Sequence, residues 1–212
     1  AARIGSVRGD IVGVDILERE GGVAIDEFAV DLPSSEMLPL LLREIEQVEG
    51  ASVEELSVVD RFPDPRLDAL TGALRLCSAV DLTSLWEALV DQVHVEFGVD
   101  WVALASGSTV LATAGTSVPG GERLDALTLG LSASPAVAGG HGGPGDIALA
   151  QLARQGAALL VGRQGHPFRQ RERAQLGGLA AIADQTWFLL TSRATSGPPE
   201  SLAAAASAGE SA

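Results

Sequence analysis

The chain has no lysine, no tyrosine and no asparagine, and only one cysteine and one methionine in 212 residues. Each absence closes a class of chemistry. Catalysis through lysine or tyrosine is excluded. All 14 basic residues are arginine, a bias expected of a GC-rich genome rather than a functional signal. One cysteine excludes an internal disulfide framework and any CxxC metal pair. Cys77 lies among Leu76, Ala79 and Val80, which predicts a small core residue rather than a reactive thiol. A reducing cytoplasm fits this usage. No apolar run approaches the roughly 20 residues that cross a bilayer, and no charged-then-apolar leader opens the chain. Basic residues are also outnumbered: 28 acids leave a net charge of −14. Residues 1–62 carry 14 acids and 5 Arg, residues 63–212 carry 14 acids and 9 Arg. Such a surface repels polyanions, so neither nucleic acid nor membrane is expected as a partner. Its plain role is solubility.

What is present is a globular composition, 46% hydrophobic, enough for a real core. Residues Ile11–Arg19 alternate, with Val12, Val14 and Ile16 on one face and Ile11, Gly13, Asp15 and Leu17 on the other. Gly21-Gly22 supplies turn residues. The return strand, Val23–Leu32, puts Phe28, Val30 and Leu32 together, opposite Glu27, Ala29 and Asp31. Its two halves differ in parity, which predicts a bulge near Asp26-Glu27. Pro33 ends the strand. Ser34 or Ser35 then caps a helix carrying Leu38, Leu41, Leu42, Ile45 and Val48, with Pro39 near its start and Gly50 as its stop. Val53–Val59 reads as a further strand. Residues 1–60 thus read as helix end, strand, strand, helix, strand: a βαββαβ sandwich, ferredoxin-like, whose first strand would precede Ala1. Paired prolines at residues 61–72 mark a boundary.

Beyond it, Asp81 is placed to cap a helix with Leu82, Leu85, Trp86, Leu89, Val93 and Phe97 on one stripe, closed by Gly98. Trp101–Ala105 and Thr109–Ala114 form a hairpin around Gly107. Residues 115–145 are rich in Gly, Ser and Pro, with a short strand-like Ala126–Leu131. Ile147–Arg154 reads as a short helix and Ala157–Arg163 as a buried strand. A last helix carries Leu176, Leu179, Ala180, Ala183, Trp187 and Leu190. Residues 194–212 are low in complexity and expected to be disordered.

The first block resembles the ACT domain, on "AARIGSVRGDIVGVDI", the glycine turn, "AIDEFAVDLP" and "MLPLLLREIEQVEGASVEEL". The second resembles a GAF-like sensor domain, on helix, hairpin, irregular middle and "AALLVGRQGHPFRQRERAQLGGLAAIADQ". The resemblance implies an α+β chain with an ACT-like domain over 1–62, a helical connection over 63–80, a GAF-like α/β sandwich over 81–193 and a tail over 194–212. It further implies a cytoplasmic, non-enzymatic regulator that binds an amino acid or related small molecule, as a homodimer and without a cofactor. The alternative is an interaction scaffold with no metabolite.

Asp10 stands where such domains carry a residue that meets a ligand's amino group; the main chain of Ile11 and Val12 would reach the same ligand. The competing role of Asp10 is to hold the local turn. Gly13 and Asp15 interrupt an apolar strand face, as a sheet packed on a second copy would; a solvent-facing sheet explains them equally. "RGD" at 8–10 leads into a buried-type strand and is not read as an adhesion signal. Ser106–Val110 and 138–146 match no phosphate-loop pattern. His94, His141 and His166 are scattered, with no HExxH spacing, so no metal is expected. Neither GxSxG nor any other nucleophile motif occurs. "RQRER" at 169–173, broken by Glu172, reads as a solvated helix start.

Overall fold

The structure is a computed structural model that describes residues 1–20, 22–59, 65–134 and 146–195. The chain divides between Asp68 and Ala69 into two compact units. Among the described residues it is an α+β protein with two separate antiparallel sheets.

The first unit opens on α1 (Ala2–Ser6), a short helix running into a hairpin, as its sequence predicts. The stop is built by Arg8 and Gly9. Arg8 takes a left-handed φ of 58°. Its N–H donates to the Gly5 carbonyl at 3.0 Å, and the Gly9 N–H donates to the Ile4 carbonyl at 3.1 Å. These are the paired bonds of a Schellman stop. Glycine usually fills the left-handed position, but here the glycine sits one residue later. A Cβ at Gly9 would come within 2.9 Å of Ile4 Cγ2 and 3.1 Å of Leu32, so the close approach of helix and strand demands it.

Strands β1 (Asp10–Glu20) and β2 (Val23–Asp31) pair antiparallel. The parity change is absorbed on β1, not near Asp26-Glu27: the register skips Val12 and Leu17. Each bulge moves the following side chains to the other face. Ile11 therefore shares a face with Val14 and Ile16, not with Gly13 and Asp15. Directly opposed residues share a face, so Ile11–Val30, Val14–Phe28 and Ile16–Asp26 line one side. Only its end is covered. Ile11, Val30 and Leu32 pack on Ile4, Val7 and Leu41, joined by Met37 and Ile45. Val14, Ile16 and Phe28 stay 54%, 48% and 46% exposed.

A 3-10 turn (Ser35–Met37) follows, capped by the Ser34 hydroxyl, which accepts from Glu36 N–H at 3.2 Å. It leads into α2 (Leu38–Glu46), with Pro39 in its first turn. The helix ends before Gly50. Arg3 ties α1 to α2 through Glu44 at 2.9 Å and Gln47 at 3.0 Å. Val53–Val59 is not a strand, contrary to its pattern. This sheet has two strands, and an apolar segment becomes a strand only where a neighbour supplies the ladder. Helix α3 (Pro65–Cys77) spans the division between the units. Leu76 is buried on it but Cys77 is exposed. The core placement of that thiol is thus corrected: helical rotation turns residue 77 about 100° away from residue 76.

In the second unit, Asp81 caps α4 (Leu82–Phe97) by accepting from Ser84 N–H at 2.8 Å, and the Asp81 N–H donates in return to Ser84 Oγ at 3.2 Å. The sheet runs β4-β3-β6-β5, every pairing antiparallel: β3 (Trp101–Ser106), β4 (Thr109–Gly115), β5 (Ile147–Leu152) and β6 (Ala157–Gly162). Between β4 and β5 lies α5 (Gly121–Ser132). The last helix is α6 (Gln170–Thr195). Two of these elements differ from the sequence reading. Leu127, Leu129 and Leu131 alternate like a strand, yet Leu124 and Leu131 are the buried pair, seven residues apart, so the segment is a helix with Leu129 outward. Ile147–Leu152 is apolar at nearly every position and so carries no decisive period. Pairing with β6 makes it a strand, with Ala148, Ala150 and Leu152 buried.

The sheet separates two cores. Val102, Leu104, Leu159, Val161 and Leu152 face α4 and α6, meeting Leu85, Leu89, Val93, Leu176 and Ala183. Ala103, Ala105, Ala158 and Leu160 face Leu124 of α5. The expected stripe of α6 packs in this core, and so does that of α4 apart from Leu82, which is half-buried outside the cluster. No described helix is long and apolar enough to cross a membrane.

Two outcomes follow from these ends and caps. Arg8→Gly removes the left-handed cost and should stabilise the hairpin unit by about 0.5–1 kcal/mol, read as slower hydrogen exchange of β1–β2 amides; Gly9→Ala should speed that exchange. The bonds from Ser84 hold the Asp81 carboxyl below its ordinary pKa of 3.8. A depressed folded pKa gives stability above the unfolded pKa that is lost as pH falls through the folded one. Thermal unfolding should therefore favour wild type over Asp81→Asn near neutral pH, with the gap closing under acid below pH 3.8.

Candidate functional site

The residues singled out in the first unit cluster at the open end of the hairpin. Asp10 begins β1, opposite Asp31, and is exposed. Ile11 is half-buried in the helical core, and Val12 is the extra residue of the first bulge. Gly13 lies opposite Ala29 and Asp15 opposite Glu27. These share a face with Asp10, Asp31 and Glu18, so this face carries carboxylates on both strands. Facing like charges disfavour close approach, and a second copy docked here would meet the same charges.

The concave site is in the second unit. A cleft of about 710 Å³ opens on the α5 side of the sheet. Its apolar lining includes Trp101, Val118, Pro119, Leu127 and Ile147. Trp101 pairs with Gly162 across β3 and β6 and with Gly115 across β3 and β4. A Cβ at Gly162 would collide with the indole. The missing side chain is what lets the ring lie flat across β6.

Asp100 ties the rim together. Its N–H donates to the Gly162 carbonyl at 2.9 Å, and its carbonyl accepts from Thr116 N–H at 2.9 Å. Its Oδ2 accepts from Gln164 N–H at 2.9 Å. One residue, through its main chain and its carboxylate, thus joins the ends of β3, β4 and β6. The next rim residue, Ser117, holds a left-handed φ of 57°. For a residue with a side chain this is a conformation the surroundings must impose.

Two arginines border the cleft, and they differ in what they can do. Arg163 is fully engaged. Its NH1 and NH2 grip Glu172 at 2.8 Å each. The remaining N–H groups donate to the carbonyls of Phe97 at 3.1 Å, His166 at 3.0 Å and Pro167 at 3.1 Å. Its guanidinium also stacks 4.3 Å from the Phe168 ring centre. All five donors are spent, so Arg163 is a positioning residue that fastens β6 to the start of α6. This also explains the interrupted basic run: Glu172 breaks it to receive Arg163 and the Arg169 N–H at 2.8 Å. Arg123, in the first turn of α5, is exposed and holds none of these bonds. The exposed carboxylates of Asp100 and Asp146 complete the charged lining.

No His, Cys or Lys is among these lining residues. The lining combines the Trp101 indole and aliphatic side chains with charges of both signs. Sequence reasoning missed it. The Asp100-Trp101 pair, Arg123 and Asp146 are more than 20 residues apart along the chain, and only the tertiary fold brings them together. The one available signal was a tryptophan opening a strand. His94 and His166 do not join the cleft, and His141 lies outside the described residues. No group of three His, Cys, Asp or Glu able to hold a metal ion occurs among the described residues. No protein-family model matches the chain, and no curated protein matches it.

Gly162→Ala should push the Trp101 indole off β6. We expect a shifted tryptophan emission and a loss of about 1–3 kcal/mol in unfolding free energy, measured by denaturant titration. An unchanged spectrum would mean the ring does not depend on that glycine.

Proposed function

We propose that the chain is a non-enzymatic regulatory protein that binds a small molecule, built from an ACT-like first unit and a GAF-like second unit. The observation that carries this reading is the cleft on the α5 side of the second sheet, whose size and mixed lining, with Trp101 beside charged groups of both signs, suit a small organic ligand. In the first unit, the hairpin backed by α1 and α2 supports the ACT likeness. There an amino acid would meet Asp10 and the main chain of Ile11 and Val12. A ligand acts by binding one arrangement of the protein more tightly than another. The cytoplasm suits the single exposed thiol.

A second reading, an interaction scaffold with no metabolite, is favoured by one observation. Val14, Ile16 and Phe28 form an exposed apolar face, and Arg19 and Asp26 lie on that same face with opposite signs. A homodimer would use this self-complementary side rather than the carboxylate side around Gly13 and Asp15.

The readings separate in one assay. All three tryptophans lie in the second unit, so their fluorescence follows its unfolding. A ligand at a hundred times its Kd adds about 2.7 kcal/mol. In a domain of this size that raises Tm by roughly 5–10 °C. A selective rise for one amino acid or close relative in a panel supports the regulator. No shift at millimolar concentrations, with a dimer by sedimentation, supports the scaffold.

A further inference from the structure

We infer that the cleft takes a small zwitterion, one ammonium and one carboxylate on a frame with a flat apolar flank. This rests on the ligand-binding reading above and adds the ligand's chemistry and its contacts. The argument is a count of what each charged group still has to offer. Four charged side chains line the cleft: Asp100, Asp146, Arg123 and Arg163. Arg163 drops out, because Glu172 neutralises it and its five donors are taken. Asp100 commits Oδ2 to Gln164, which leaves Oδ1. Asp146 is bound through its main chain, whose carbonyl accepts from Arg163 N–H at 3.1 Å; its carboxylate is exposed. Arg123 is the one available cation of the four.

The lining therefore offers two carboxylates and one guanidinium together with the Trp101 indole. A simple anion would be turned away by the carboxylates and by a chain of net charge −14. A simple cation would gain the carboxylates and the Trp101 face but leave Arg123 beside its own charge. A zwitterion satisfies both ends: its ammonium donates to the carboxylates, and its carboxylate accepts a two-pronged bond from Arg123. The flank then lies on Trp101, where an aromatic ring gains most.

Three probes on one frame test this by titration calorimetry against the full chain: phenylalanine, phenethylamine and 3-phenylpropionate. Phenylalanine should bind, and each single-charge analogue should bind about 10- to 100-fold more weakly. The variants should cross. Arg123→Gln should weaken phenylalanine and 3-phenylpropionate while sparing phenethylamine. Asp146→Asn should weaken phenylalanine and phenethylamine while sparing 3-phenylpropionate. Both positions are exposed, so neither substitution should disturb folding; Asp100→Asn keeps its shape and serves as the second carboxylate variant. Phenethylamine binding as tightly as phenylalanine would overturn the inference and leave a cation cleft. Phenylalanine binding that is lost in Asp10→Ala and kept in Arg123→Gln would overturn it by moving the ligand to the hairpin. No binding of any probe, together with a selective Tm rise for some other ligand, sinks the zwitterion alone; no binding and no rise sinks the cleft reading with it.

Discussion

Strands β3 and β6 have no polar face to give to water. Every residue of β6 is buried, as are the four inner residues of β3. Leaving either side open would expose several aliphatic side chains, each worth about 1.5–3 kcal/mol when buried. The second unit must therefore be layered, with helices on both sides. The long apolar stripes of α4 and α6 cover one side. Among the described residues, the short α5 covers part of the other, meeting the small side chains Ala103, Ala105 and Ala158. Where α5 stops short, Trp101 takes over, and the cleft begins at that change of cover.

The clamp on Arg163 serves the same architecture. The end of β6 would otherwise leave a cation and several loop carbonyls half-buried at the start of α6. Glu172 and the carbonyls of Phe97, His166 and Pro167 satisfy that cation in one cluster. An exposed ion pair contributes little, but this one is largely shielded, at 14% and 20% side-chain exposure. Its value lies in fixing where β6 ends, which in turn fixes Gly162 under the indole. The first unit shows the opposite situation. Its hairpin has an apolar side that extends beyond the helical cover and a carboxylate side that belongs in water.

Much of the local structure was legible. Helix α4 was bounded correctly because Asp81 and Gly98 are strong end signals and its stripe has one period. The hairpins were found because glycine turns and alternation agree. The failures share a cause. Leu127–Leu131 and Ile147–Leu152 fit two periods at once, and Val53–Val59 has a strand's composition without a strand's neighbour. The hairpin's parity change was visible, but its location was not, since either strand can absorb an extra residue. Cys77 was misplaced because adjacent residues on a helix face different ways.

By itself, the sequence determined element type wherever caps and a single period coincided, the acidic surface, and the need for apolar strands to be covered. Those follow from forces between near neighbours and from water. Only the tertiary structure decided which strands pair, which of two arginines is spent, and that Asp100, Trp101, Arg123 and Asp146 share one rim. Strand order and hydrogen-bond partners depend on residues dozens of positions apart, and no local pattern records them.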